Sequence, residues 1–188
     1  MTDAPALSPY QHDMIHHLLT HRHGIITKLT MGLGVSFAIA SALGQTFEDG
    51  EEPNVLAIVP AQLTQYWRNT FDMFDVPADK VTYVTPQKIV KGFEFTHHLT
   101  GRHQWIVDFN CLTSPRVVQL TLPALKLTHN MWGEVMYHPG HRGWEFASNY
   151  AWSKAFHAKS NTSPDHSVMF PVSWQGHADA LKAESGIL

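Results

Sequence analysis

Cysteine is nearly missing from this chain. Only Cys111 is present among 188 residues, so no internal disulfide can form, which suits a reducing compartment. Charge is scarce as well. Only 15% of residues are charged, against about 25% in an ordinary soluble domain, which leaves apolar and aromatic surface for a partner to cover. A basic surplus is also lacking: 13 Lys and Arg face 16 Asp and Glu, for a net charge of -3. That weighs against a mainly electrostatic grip on nucleic acid, which shows as an excess of Lys and Arg. The 14 His tilt this balance only below about pH 6.5. No apolar run approaches the roughly 20 residues of a membrane span. The opening Met-Thr-Asp-Ala-Pro has neither the basic nor the apolar region of a secretory leader. The expectation is a soluble, intracellular (cytoplasmic) protein with no membrane partner, of a length that fits one domain.

What is present is alternation. Ser8-Pro9 offers a capping hydroxyl and a proline for a first helical turn, and Tyr10, Met14, Leu18 and Leu19 follow at helical spacing. Ile25-Ile26 starts a short strand. Gly32 and Gly34 make a turn, and Ser36 to Leu43 reads as a buried helix stopped by Gly44. Gln45 to Asn54 is acidic and polar and reads as a loop. Val55 to Val59 is a continuous apolar run, as expected of a parallel strand covered on both faces. Pro60 opens a helix with Leu63, Trp67, Phe71 and Phe74 on one stripe. Val81–Thr85 and Gln104–Asp108 are further strands, Pro86–Lys91 is a short helix or turn, and Pro115–Leu127 is helical. This order predicts an α/β fold, a single domain with a central, mostly parallel sheet flanked by helices. Functional groups should then gather at the carboxyl ends of the strands, where the Gly24–Ser36 turn and Asp108 both fall.

Gly24–Ser36 has the strand, glycine turn and helix start of a phosphate-binding loop. The order of motifs around it resembles the first RecA-like lobe of Swi/Snf-type superfamily 2 helicases, which are double-stranded-DNA translocases. Leu7-Ser8-Pro9-Tyr10-Gln11 looks like the family's adenine-reading motif, with Gln11 as the reader. Met31-Gly32-Leu33-Gly34-Val35-Ser36 is similar to its Met-Gly-Leu-Gly-Lys-Thr phosphate loop. Val55 to Ala61, then Trp67 and Phe74, look like the next motif, and Trp105-Ile106-Val107-Asp108 sits where the Asp-Glu-Ala-His box belongs. The match runs over about residues 7 to 112, and it implies a RecA-like (P-loop NTPase-like) fold.

The departures decide the expected function. Val35 replaces the Lys that holds the β and γ phosphates. Ser36 replaces a magnesium-binding Thr, a mild change. Asp108 remains, but Phe109 stands in place of the Glu that would activate water. No Thr-Gly-Thr-Pro coupling motif and no counterpart of the second lobe are found. Phosphoryl transfer rests on positioning and charge stabilisation, so ATPase activity is not expected. Gln11, Gly32, Gly34, Ser36 and Asp108 are then a vestigial nucleotide site, with neither ATP nor magnesium as a cofactor. In the bland reading the glycines only make the turn, Gln11 caps or bridges, and Asp108 caps the next helix or pairs with Lys28 or Arg116.

Residues 1–130 are expected to form the lobe and 131–188 an aromatic-rich extension packed on it. Within the extension, Trp132, Tyr137, Trp144 and Trp152 are candidate interface residues, since Trp and Tyr are common at interface hot spots. The histidines include pairs four apart, His12 with His16 and His17 with His21. Others are His23, His97-His98, His103, His138 and His141. Their spacing can hold zinc or nickel, but Cys is scarce and solvent-facing histidine is the expectation, with no metal. The function expected is a catalytically inactive helicase-like module that binds a protein partner, such as a helicase, nuclease or polymerase complex, and regulates it. A small viral protein is one setting for such a module. The alternatives are a duplex nucleic-acid-binding fragment using Gln62–Arg68, Arg102, Arg116 and Lys126, an ATPase half completed by another chain, and, last, a histidine-based metalloenzyme.

Overall fold

The computed structural model describes residues 4–20, 25–29, 33–128 and 130–136. Among the described residues five strands and five α-helices alternate. They are α1 (Pro9–Thr20), β1 (Ile25–Leu29), α2 (Val35–Glu48), β2 (Asn54–Ile58), α3 (Thr64–Met73), β3 (Val81–Val84), α4 (Pro86–Val90), β4 (His103–Asp108), α5 (Pro115–Leu127) and β5 (Met131–Met136). The strands form one sheet in the order β1-β5-β4-β2-β3. Every pairing in it is parallel.

A parallel sheet needs both faces covered, and the side-chain alternation of each strand supplies two cores. Val55, Ala57 and Val59, with Ile106 and Trp132, pack with α1, α2 and α3. Leu56 and Ile58, with Trp105, Val107 and Met131, pack with α4 and α5. The apolar run at β2 is thus divided between two layers, which is why it shows no period of two in hydropathy. In α3, Trp67, Thr70 and Phe71 face inward while Gln65, Arg68 and Asn69 face solvent. Among the described residues no helix is long and apolar enough to cross a membrane.

The start of α1 carries the reach-back half of a capping box. The Ser8 carbonyl accepts from the Gln11 and His12 N–H groups at 2.9 and 3.1 Å. The Gln11 side chain reaches back, and its Oε1 accepts from the Ser8 N–H and hydroxyl, each at 2.8 Å.

Three expectations need correction. Helix α2 does not stop at Gly44 but runs on to Glu48, through part of the expected loop. Gly44 is there for space: a Cβ on it would lie 2.2 Å from the Phe74 carbonyl oxygen at the end of α3. The glycine that reads as a stop signal is a helix–helix contact. Second, the lobe extends beyond residue 130, because β5 is inserted between β1 and β4. Gly133 and Glu134 disguise it in the sequence. A Cβ at Gly133 would lie 2.5 Å from the Phe109 ring, so this glycine makes room for a neighbouring aromatic, one of the reasons a strand tolerates glycine. Third, Trp132, expected at an interface, is a core residue with 1% exposure.

Helix propensity favours Ala over Gly by about 1 kcal/mol, but a clash with fixed backbone typically costs 1–3 kcal/mol. Gly44→Ala should therefore lower the urea midpoint of unfolding. A raised midpoint would mean that α3 does not lie against this turn of α2.

Candidate functional site

The turn after β1 is held by α1. Gly34, the residue before α2, is left-handed, with φ 68 and ψ 34. A Cβ there would meet Gln11 Nε2 at 2.3 Å, so both the backbone and the space require glycine. Gln11 Nε2 donates to the Leu33 carbonyl at 3.3 Å and the Gly34 carbonyl at 3.1 Å. The Tyr10 hydroxyl also donates to the Leu33 carbonyl. A glutamine amide has two N–H groups and two oxygen lone pairs. With Oε1 taken by the two Ser8 donors, all four are used within the chain.

Val35 opens α2 and is half-buried against the core shared with α1. Ser36 is buried, and its hydroxyl lies 2.6 Å from the Tyr66 hydroxyl of α3. Tyr66 is 43% exposed, so its ring spans from Ser36 to solvent.

Asp108 ends β4 with 2% exposure. Its Oδ1 accepts from the Asn110 N–H at 2.9 Å and from Asn110 Nδ2 at 2.8 Å, which caps the following 3-10 turn, Phe109–Cys111. The capping expectation thus holds. Arg116 is not its partner and bonds Gln119 at 3.1 Å instead. Phe109 is fully buried in the core on the α5 side, over Gly133. Beside Asp108, in register on β5, stands Glu134, which is also paired with Thr27 of β1. Burial, and next the Asp108 carboxylate, push the Glu134 carboxyl well above the usual range. Burial and Asp108 likewise push the Cys111 thiol up, so this lone cysteine is inert toward nucleophilic chemistry.

The structure therefore joins Gln11 to Gly34 and sets Ser36 at the start of α2 and Asp108 at the end of β4. Gly32, Tyr137, Trp144 and Trp152 lie outside the described residues. Glu134 escaped the sequence reading; its only signal was an acid in an otherwise apolar stretch following the aspartate strand. Tyr66 was marked only as part of the Gln62–Arg68 stretch offered for nucleic acid, not as a partner of Ser36.

Among the histidines, His12, His16 and His97 face solvent as expected. His98 and His103 do not. They are half-buried with ring centroids 5.5 Å apart, and His98 stacks on Phe93. Burial, then His103 and His97, lower the His98 pKa. His21, His23, His138 and His141 lie outside the described residues. Among the described residues no group of three or more His, Cys, Asp or Glu side chains converges as a metal site would require.

No family model and no curated protein matches this chain by sequence. Solved structures do match by fold. The SWI2/SNF2 ATPase core of Sulfolobus solfataricus, solved in complex with dsDNA, superposes with a TM-score of 0.55 at 13% identity, over 90% of this chain and 46% of that one. A hypothetical ATP-dependent RNA helicase of Sulfolobus tokodaii superposes with a TM-score of 0.51 at 10% identity, over 88% of this chain and 53% of that one. The fold is thus α/β and RecA-like, as in these two structures, and the chain spans about half the length of each of them.

The raised Glu134 pKa gives a signed prediction. A carboxyl that holds its proton more tightly when folded favours folding while protonated. That advantage is lost as pH rises from the ordinary glutamate value of about 4.3 through the folded value. Glu134→Gln, which cannot ionise, should be more stable than wild type at neutral pH, and the gap should close as the medium is acidified toward pH 4. Thermal melts across that window check it; a gap that widens on acidification would contradict it.

Proposed function

We propose that this chain is a catalytically inactive helicase-like lobe that binds and regulates a protein of a nucleic-acid-processing complex. The observation that carries the reading is the Gln11 amide. Its four hydrogen-bonding positions are taken by Ser8, Leu33 and Gly34, which leaves nothing to read an adenine. Other positions support it. The Ser36 hydroxyl, where magnesium would be held, is engaged by Tyr66. Val35 carries no charge to set against a triphosphate. Phe109 is packed in the core at the place of a water-activating carboxylate. The residues do not fit ATP and magnesium, and no step of phosphoryl transfer can be assigned to them.

A lobe without turnover can still act through its surface. Low overall charge and exposed apolar side chains such as Leu63, Val90 and Leu127 suit contact with another protein. A helicase, nuclease or polymerase complex fits, because a lobe that resembles part of a motor can compete for that motor's own contacts. Duplex nucleic acid is the second reading, favoured by the dsDNA present in the solved Sulfolobus solfataricus complex. Here Gln62, Gln65, Arg68, Arg102 and Arg116 all face solvent.

Restoring the two missing groups separates an inert site from a merely mutated one. Val35→Lys combined with Phe109→Glu should give no phosphate release above the blank, because Gln11 and Ser36 remain engaged. Turnover by this variant would contradict the proposal. For the second reading, the measurement is a gel shift of duplex DNA at two salt concentrations. The regulatory reading expects no shift, whereas binding that falls steeply with salt would establish the alternative.

A further inference from the structure

Between α4 and β4 the chain makes a loop with a glycine at positive φ near each end, Gly92 at 108° and Gly101 at 83°. Such angles favour glycine. A Cβ on Gly92 would meet nothing within 4 Å, and one on Gly101 only His103 Nδ1, at 4.0 Å. Packing therefore pins neither end, and a set of rings fastens the loop instead. Phe95 stacks on Trp105 with centroids 5.6 Å apart, and Phe93 meets Phe95 edge-on at 5.0 Å. His98 stacks on Phe93 and meets His103 edge-on, each at 5.5 Å. The buried Trp105 donates its indole N–H to the His98 carbonyl at 2.8 Å.

Two of these rings can take a proton. Nδ1 of His98 and Nδ1 of His103 are both shut off from solvent, and neither has a hydrogen-bond partner among the described residues. A neutral imidazole carries one N–H, whereas an imidazolium carries two. A proton added to either ring therefore leaves a charged Nδ1–H that meets no acceptor and no water, which is unfavourable. A second proton would set two like charges side by side. Burial, then His103 and His97, accordingly lower the His98 pKa.

The charged groups nearby give little relief. On the loop itself His97 and Glu94 are 3.8 Å apart, but both are exposed and solvent screens them. Helix α4 brings Lys88, whose Nζ donates to the Tyr83 carbonyl at 3.0 Å, and the exposed Lys91. Helix α5 brings Arg116, held by Gln119. Arg102 shares a hollow with His103 and with Glu51 of the loop after α2. Cations outnumber acids in this set, so added positive charge is not welcomed.

We propose that the loop from Gly92 to Gly101 is a latch that protons release: positive charge on the His98–His103 pair frees it from Trp105 and uncovers Phe93 and Phe95. Since His98 takes a proton less readily when the loop is closed, its neutral form favours closure. That advantage is complete above the ordinary histidine value of about 6.5 and is lost as pH falls from there through the closed-state value. The latch lies where the strands begin, so its failure or success leaves the reading of the Gly34 turn untouched.

The test is NMR of the full ¹⁵N-labelled chain between about pH 7.5 and about pH 5, the range in which histidine titrates. It reads the His98 ring titration and the hydrogen-exchange protection of the Trp105 indole N–H. Protection, corrected for the intrinsic pH dependence of exchange, should fall severalfold across the range, while amides in the middle of β4 keep theirs. His98→Phe keeps a ring over Phe93 without a titrating nitrogen, and should leave the indole equally protected at both ends of the range. His103→Gln should move the His98 midpoint up toward the ordinary value, which a purely structural role of His103 would not do; this arm stands should His98→Phe not fold. Indole protection that does not change with pH, or that falls equally in His98→Phe, would overturn the latch. So would a His98 midpoint at or above about 6.5, or one that His103→Gln leaves unmoved.

Discussion

One side-chain amide ties together the end of the sheet where the strands finish. Gln11 accepts from Ser8 at the start of α1 on one side and grips the Leu33 and Gly34 carbonyls on the other. The first helix, the left-handed turn and the start of α2 are therefore one unit. Any residue but glycine at position 34 would strain the backbone and strike that amide. A turn of this kind ordinarily exposes N–H groups to an anion. Here the carbonyls of the same turn are held from below by Gln11 and Tyr10, and the first side chain of α2 is an apolar Val that joins the core.

The same economy appears on the neighbouring strands. Phe109 sits over Gly133, so an aromatic on β4's extension and a glycine on β5 are complementary. Asp108 directs one oxygen to Asn110 and lies beside Glu134. Burial first, and the Asp108 carboxylate in register beside it next, push the Glu134 carboxyl well above its usual range. These groups support the ends of the strands, and each has a structural task that can be named.

Much of this architecture was legible in the chain. Apolar runs of strand length separated by amphipathic segments gave β2, β3 and β4, and Ser8-Pro9 and Pro115 marked the starts of α1 and α5. Local patterns could not reveal what depends on contacts between distant segments. Gly44 reads as a stop until the Phe74 carbonyl is seen against it. Met131–Met136 shows no strand pattern in the sequence because its Gly and Glu answer to Phe109 and Asp108, more than 20 residues earlier. Trp132 looks like a surface aromatic until β5 is placed in mid-sheet. In the site, the resemblance named Gln11, Gly34, Ser36 and Asp108. Only the structure shows that Tyr66 meets Ser36, a contact across 30 residues with no periodicity to announce it.

The central claim is that the protein's own side chains fill the hydrogen-bonding positions where a nucleotide would be read. Calorimetric titration of the whole chain with ATP and magnesium tests it most directly. The account predicts no saturable heat in either the presence or the absence of the metal. Stoichiometric binding that requires magnesium and disappears in Asp108→Asn would contradict it.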